Sequence, residues 1–450
     1  MVRAVLKFGG GVLRNEDAFE RIAGILDTNK NRENIIVVSA YQGITDLLFE
    51  AAQKSVAERE FVSDLEAKVL KRHLVAGVDR EALEEKLEEL RKLLFEVNRF
   101  AYLSRENKER ITSYGERLSA FALSAYLNAW GIKAVAYEAE EAGIVTDGVL
   151  EHAACRMKET RENLKRLEKP LREGNVVVIT GYYGMDLKGR VTTFGRGGTD
   201  YSAGLVAAGM DADVLEIWKD VDGFMTCDPK LVEGAQRLDE ITFREAEELG
   251  YFGAKILHPR AMDCLEDAGT EITLKNVLNP GGPGTRIVRK CSAETLPKRG
   301  VVTALATKRG IAAIDVEGTN LVEAPGGAAA IFSAVASRGI SIDAISTAQV
   351  NISFTVNEAD ADSAVEVLEK MDGGFIGRVS SRKGLALIGI VGENMSGRIC
   401  ETAALAFQAL SRIGVEAKMV SKSASDTDLS IIVPEKALKP AVVALHDEFM

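Results

Sequence analysis

The run Thr192-Thr193-Phe194-Gly195-Arg196-Gly197-Gly198-Thr199-Asp200-Tyr201-Ser202-Ala203 decides how this chain is read. It follows an apolar stretch at 176–180 and a Gly-containing turn region at 181–189, and it leads into 204–209, which reads as a helix. A strand feeding a glycine-rich turn that opens a helix aims backbone N–H groups at an anion. Between Arg196 and Asp200 the turn also carries an arginine, a hydroxyl and a carboxylate. Arg196 has the planar fork that grips a carboxylate with two parallel hydrogen bonds, and the glycines let backbone approach a ligand closely. A loop that merely connects two elements needs none of this.

Working outward, residues 2–6 form a β-type run that Lys7 interrupts just before Phe8-Gly9-Gly10-Gly11. A helix follows over 16–26, with Phe19, Ile22, Ala23 and Leu26 on one face. Lysine is rarely buried without a partner, so Lys7 at a strand end calls for an anion. The G-x-x-x-x-G-K-[ST] phosphate loop is absent from the sequence. Residues 35–39 read as a second strand, 42–46 as a polar turn ending in Thr45-Asp46, and 47–57 as a helix. This alternation predicts an α/β domain with a mainly parallel sheet. Ligands collect at the carboxyl ends of such strands, where Lys7, Ser39 and Arg196 all fall. One shared site is therefore expected.

Residues 61–103 break the alternation with two helical stretches. Leu83, Leu87, Leu90, Leu94, Val97 and Ala101 recur at alternating four and three, the seam of a helical hairpin inserted into the domain. Ser113-Tyr114-Gly115-Glu116-Arg117 then opens a helix running to 130. Glu116 is either half of a solvent pair with Arg117 or the partner of a ligand ammonium. A strand at 214–218 precedes the loop from Lys219 and Asp220 through Met225 to Lys230, whose charges with Gly and Pro fit the edge of a nucleotide. Pro259 at a first helical turn makes His258 a helix-entry residue rather than a base, and Lys255 is a candidate to reach a phosphate.

The segment from about 285 to 300 reads as a short strand and a linker, and an internal repeat follows. Gly339 and Ser346 match Gly414 and Ser421, both 75 residues on. In the first copy, 328–338 and 359–370 read as helices, and 340–346 and 350–356 as strands. No charged cluster suited to catalysis falls there, so the repeat is expected to regulate.

The formal net charge of −11 argues against a nucleic-acid-binding role. No apolar run reaches bilayer-spanning length. The first apolar run begins at once, which leaves no room for a signal peptide. The five cysteines are scattered, with no C-x-x-C pair, which excludes a disulfide scaffold and offers no zinc site. A cytoplasmic protein is expected, or a stromal one if the chain is processed.

Together these motifs resemble the aspartokinases of the amino acid kinase family. The resemblance rests on Lys7-Phe8-Gly9-Gly10, Val38-Ser39-Ala40 with Gly43-Ile44-Thr45-Asp46, Tyr114-Gly115-Glu116-Arg117-Leu118-Ser119, Gly195-Arg196-Gly197-Gly198-Thr199-Asp200 and Phe252-Gly253-Ala254-Lys255 with His258-Pro259. It covers essentially the whole chain. It implies a three-layer α/β/α catalytic domain at 1–298 with its helical insertion at about 58–104. Two C-terminal α+β ACT domains are implied at 299–383 and 384–450, with the strand at 299–308 pairing with the second. The implied reaction is phosphorylation of L-aspartate by ATP, the first step toward lysine, threonine and methionine, by an ACT-linked homodimer or larger homo-oligomer.

By the same resemblance, Lys7, Gly9 and Gly10 hold the ATP phosphates, and Lys7 and Asp200 serve the transferring phosphoryl group. Ser39, Thr45, Glu116, Arg196, Gly197, Gly198 and Thr199 hold aspartate. Lys219, Asp220, Met225, Lys230 and Lys255 fall at the nucleotide. Ser346, Gln349 and Asn351 lie where an end-product amino acid would bind. The chain departs from the family at Gly11, where Thr or Ser is usual, and at Lys219, Met225 and Lys230, where Thr, Tyr and Arg are usual. The run 218–229 is closer to the plant monofunctional enzymes. Ala348-Gln349 replaces a usual Ser-Glu pair, and Asp426 and Asp428 stand for Glu and Asn. Loss of that carboxylate predicts weak sensitivity to lysine and a preference for a neutral effector such as threonine.

The chemistry agrees with this residue set. An aspartate side chain, with a reference pKa of about 3.9, is already ionised at neutral pH and needs no general base. The work is to hold two anions in line and neutralise charge. Mg²⁺ rides on the phosphates with few protein ligands, so no metal motif is expected. Two alternatives remain at this point: a kinase of the same fold for another acid, and a non-catalytic amino-acid sensor.

Overall fold

The computed structural model describes all residues except 58–60, 252–258, 266–267, 292–299, 319–325, 372–375 and 423–426. It divides into two compact units, Met1–Phe224 with Ile256–Arg289, and Met225–Lys255 with Lys290–Met450. Among the described residues no helix is long and apolar enough to cross a membrane.

The first unit is built on a twisted sheet of strands in the order Ala134–Tyr137, Val176–Thr180, Arg32–Val38, Val2–Phe8, Val214–Lys219, Glu271–Asn276 and Thr285–Val288. The first six run parallel and the last pairs antiparallel. Ile35 to Val38 and Val177 to Ile179 are fully buried, as expected for strands covered on both faces. The register aligns Lys7 with Val37 on one side and Ile217 on the other, so three strands end at the same level. Sheet order reverses around the Val2–Phe8 strand, which makes a crevice at those ends.

Four sequence expectations are corrected here. The region 181–189 is not merely a turn: Tyr183–Asp186 and Val191–Thr193 form a hairpin, which Val145–Thr146 extends to a three-stranded sheet. Strands of three or four residues leave no readable period. The helix read as starting at 113 begins at Arg105, capped by Ser104, whose hydroxyl accepts from Asn107 N–H at 3.0 Å. Its first two turns carry Ile111 as their sole large aliphatic side chain, so no apolar stripe announces them. The helix read as starting at 204 begins at Gly198, and every residue from Gly198 to Gly209 is buried, which erases the polar boundary. The helix read from 47 begins at Ile44, after Gly43 in left-handed conformation, so Thr45 and Asp46 lie in its first turn. The inserted helices, Phe61–His73 and Arg80–Phe100, are present, and Leu83, Leu87, Leu90, Leu94 and Val97 are buried along the second.

In the second unit two long strands, Ala304–Glu317 and Arg378–Val391, pair antiparallel from Ala304↔Val391 to Glu317↔Arg378. The Asn351–Asn357 strand adds to one end of this ribbon and the Asp428–Pro434 strand to the other. Ile345–Thr347 and Met419–Ser421 are the two outermost strands. The glycines of the repeat, Gly339 and Gly414, both have left-handed φ, +70° and +68°, just beyond helices Gly327–Ser337 and Ile399–Arg412. A helix exit of that shape needs glycine. The strand expected at 340–346 is corrected to Ile345–Thr347. The stretch before it is instead held by Asp343 N–H to Thr355 O and by Lys308 Nζ on both Asp343 oxygens at 2.7 Å. Cys227, Leu231 and Val232 pack in one core with Ile388, Ile431 and Leu445.

Candidate active site

A cavity of about 260 Å³ opens at the aligned strand ends, lined by Lys7, Gly9, Gly10, Ser39, Thr45, Glu116, Tyr182 and the run Gly195 to Asp200. Lys7 Nζ pairs with Asp200 Oδ1 at 2.5 Å, both largely buried. Asp200 reaches that position because Gly197, at φ +75°, turns the chain into the Gly198–Gly209 helix. The first-turn N–H groups of a helix have no intrahelical acceptor. Those of Thr199 and Asp200, with the positive end of the helix dipole, therefore belong to an anion site.

Glu116 is positioned by the residue before it. A Cβ on Gly115 would sit 2.6 Å from Ala40 Cβ, so only glycine lets the long helix press against the 39–41 segment. Glu116 Oε1 then accepts from Ala40 N–H at 3.0 Å, while Oε2 has no hydrogen-bond partner among the described residues. Burial pushes the Glu116 carboxyl up to about 8, against the opposing pull of its Ala40 and Ser39 hydrogen bonds. This resolves the choice between a solvent pair and an internal group. Arg117 turns away to Glu138 and Glu140, and Glu116 is 2% exposed.

Lys219 adds a second cation near Lys7. Burial first and the Lys7 charge second lower its pKa to about 8, opposed by Asp200 and Asp220. Asp220 itself is exposed and pairs with Arg14 at 2.8 Å. Arg196 is exposed and lines the cavity. Of the other expected nucleotide residues, Met225 and Lys230 belong to the second unit, and Lys255 lies outside the described residues, as does Asp426. Ser346, Gln349 and Asn351 lie together in the second unit: Ser346 in the Ile345–Thr347 strand, Gln349 exposed in the following turn, and Asn351 opening the next strand. Among the described residues no three His, Cys, Asp or Glu side chains are grouped to hold a metal.

Two residues were missed by the motif reading. Tyr182 has φ +76°, unusual for a non-glycine residue, and its N–H donates to Ser202 Oγ at 3.0 Å. It also lines a second cavity of about 490 Å³, shared with Thr45, Glu109, Gly195 and Arg196. Glu109 stands seven residues before Glu116, two turns back on one face of the helix. Its Oε1 accepts from Thr193 Oγ1 at 2.8 Å, and burial raises its pKa. Tyr182 follows directly on a strand end at Thr180-Gly181, the one sequence signal that could have marked it.

Comparison with known proteins agrees with this geometry. The amino acid kinase family model matches residues 2–276, and an ACT domain model matches 314–371 and 388–449. Aspartokinase 2, chloroplastic, of Arabidopsis thaliana is 32% identical over 99% of this chain and 84% of its own length. Lysine-sensitive aspartokinase 3 of Escherichia coli is 30% identical over 98% of both. Among solved structures, E. coli aspartokinase III with lysine and aspartate (T-state) matches with a TM-score of 0.84 at 28% identity, over 99% of both chains. The same enzyme with aspartate and ADP (R-state) gives a TM-score of 0.79 at 28% identity, over 100% of this chain and 99% of that one.

Proposed function

This chain belongs to the amino acid kinase family, in the aspartokinase arrangement of a kinase domain followed by ACT domains, and we propose that it phosphorylates L-aspartate with ATP. A side-chain carboxylate oxygen of aspartate attacks the γ-phosphorus as the bond to the β,γ-bridging oxygen breaks. The products are ADP, which carries away the electron pair, and 4-phospho-L-aspartate. The observation that carries this reading is the single cavity in which Lys7, Asp200, Glu116 and the Arg196 turn converge.

Arg196 grips the α-carboxylate of aspartate and Glu116 takes its ammonium, which together point the side chain at the phosphoryl group. Ser39, Thr45, Gly197, Gly198 and Thr199 complete that pocket. Lys7, with Gly9 and Gly10 beside it, and Lys219 offset the negative charge of the phosphates, and Asp200 holds Lys7 in place. Aspartate is already ionised, so positioning and electrostatics supply the catalysis. Mg²⁺ bound to the ATP phosphates would neutralise charge there. The donor set fits an ion held mostly by phosphate and water, since Asp200 and Glu116 are the carboxylates among the cavity's lining residues. Asp220, Met225, Lys230 and Lys255 remain the proposed contacts for the rest of the nucleotide.

The Arg196 assignment is tested by Arg196→Lys, which keeps the charge but loses the planar fork. Aspartate KM should rise strongly with ATP KM little changed; an equal rise in both would mean that Arg196 reads phosphate. The ACT domains are proposed to bind an end-product amino acid at Ser346, Gln349 and Asn351 and to join a homodimer. Gln349 offers no negative charge, so threonine should inhibit better than lysine in initial rates at sub-saturating aspartate. Potent inhibition by lysine alone would refute the role given to Gln349.

A further inference from the structure

Helix Pro259–Asp263 touches the Gly198–Gly209 helix almost backbone to backbone, because a Cβ on Gly204 would lie 2.6 Å from Ala261 O. That approach delivers Arg260 to the outer side of the acceptor turn. One guanidinium nitrogen of Arg260 donates to Phe194 O at 3.0 Å and the other to Ala153 O at 2.6 Å. The guanidinium carbon also lies 4.2 Å from the centre of the Tyr201 ring. The three contacts form one connected patch: Ala153 N–H donates to Thr193 O at 3.0 Å, and Cys155 N–H to the Tyr201 hydroxyl at 3.2 Å.

Arg260 thus fixes the carbonyl of the residue just before Gly195 and the ring of the residue just after Asp200. Between those points lie Gly195 and Gly197, at φ +76° and +75°, with no side chains of their own to hold the turn. Arg196, between them, is exposed. Its direction therefore depends on how firmly the turn's two ends are held. Charge-assisted hydrogen bonds from a planar fork suit that task, and a lysine could reach only one of the two carbonyls.

We propose that Arg260 is a positioning residue for the acceptor site: it locks the turn that aims Arg196 at the carboxylate of the amino acid substrate. This inference rests on Arg196 holding that carboxylate. It is distinct from a general packing role, because its effect should pass through Arg196 alone.

A double-mutant cycle on the full-length enzyme tests it. Arg260→Ala should raise aspartate KM by about tenfold while ATP KM and kcat stay within about threefold, the signature of lost acceptor binding. Arg260→Lys should fall between the alanine variant and wild type. In an Arg196→Ala background, adding Arg260→Ala should change aspartate KM by less than about twofold, because the two act as one unit. An unchanged aspartate KM in Arg260→Ala, an equal factor in both backgrounds, or a joint rise in both KM values would each overturn the proposal. If the alanine variant does not fold, Arg260→Lys decides: a raised aspartate KM supports the tether and a wild-type value refutes it. If Arg196→Ala alone leaves aspartate KM unchanged, the acceptor assignment itself fails and takes this inference with it.

Discussion

Glu116 should make aspartate binding release a proton, and the size of that effect follows from the site. Its carboxyl is pushed up to about 8 by burial, so at pH 7 roughly one molecule in ten carries the charge. Pairing with the substrate ammonium favours the carboxylate, so binding must first remove the proton. That costs about 1.4 kcal/mol per pH unit below the pKa, or tenfold in affinity. Aspartate affinity should therefore strengthen by close to tenfold per unit from pH 6 to about 8 and then level off. Glu116→Gln keeps an oxygen to accept from Ala40 N–H but cannot ionise. It should lose roughly 2–5 kcal/mol of aspartate binding at pH 8, as for removal of one partner of a buried charge pair. The gap should shrink by about 50-fold at pH 6, because the wild-type carboxyl is about half ionised at pH 8 and only about 1% ionised at pH 6. Without ligand the sign reverses. Glu116 holds a proton that the unfolded chain, near the ordinary value of 4.5, has already released. Its contribution to stability is thus lost as pH rises from about 4.5 to 8, and Glu116→Gln should flatten that fall. Calorimetric titration with aspartate in two buffers of different ionisation enthalpy, from pH 6 to 9, measures affinity and proton release together. A flat affinity, or wild type and Glu116→Gln running parallel across that range, would mean that Glu116 does not take the substrate ammonium.

Two further outcomes follow from the same cavity. Lys7→Ala should lower kcat by on the order of 100-fold, as for loss of a preorganised donor, in steady-state assays at saturating substrates. Near-normal kcat would remove Lys7 from the chemistry. Gly115→Ala places a methyl 2.6 Å from Ala40 Cβ, so it should cost about 1–3 kcal/mol of stability and displace Glu116. Chemical denaturation and aspartate KM should change together; a stable variant with unchanged KM would contradict the close approach.

What the sequence made legible was whatever local chemistry forces into the open. Lys7 at a strand end and the glycines at 195 and 197 are residues no ordinary strand or loop requires, and all three line one cavity. The parallel sheet was readable from strands alternating with helices. The helix start at Glu16 was readable too, but those at Ile44, Arg105 and Gly198 were not. The Gly198–Gly209 helix is buried on every side, and the helix from Arg105 opens with polar turns, so neither shows a period at its boundary. Glu116 could be read two ways because its burial depends on Gly115 meeting Ala40, a contact 75 residues distant in the chain. Glu109, Tyr182 and Arg260 are invisible to motifs for the same reason: each matters through partners brought together by the fold. The loop from Met225 to Lys230 reads as a nucleotide edge, while the structure groups those residues with the second unit, an association that composition does not encode.

Aspartate-specific phosphoryl transfer is the activity proposed for the Lys7–Asp200 cavity. It is tested most directly by ADP release from ATP and Mg²⁺ with L-aspartate, L-glutamate and N-acetyl-L-glutamate supplied separately, with hydroxylamine present to trap the acyl phosphate. ADP formation and a matching yield of aspartyl hydroxamate are expected with L-aspartate, and background rates with the other two acids. Turnover with glutamate or N-acetylglutamate instead, or ADP release with none of the three, would contradict it.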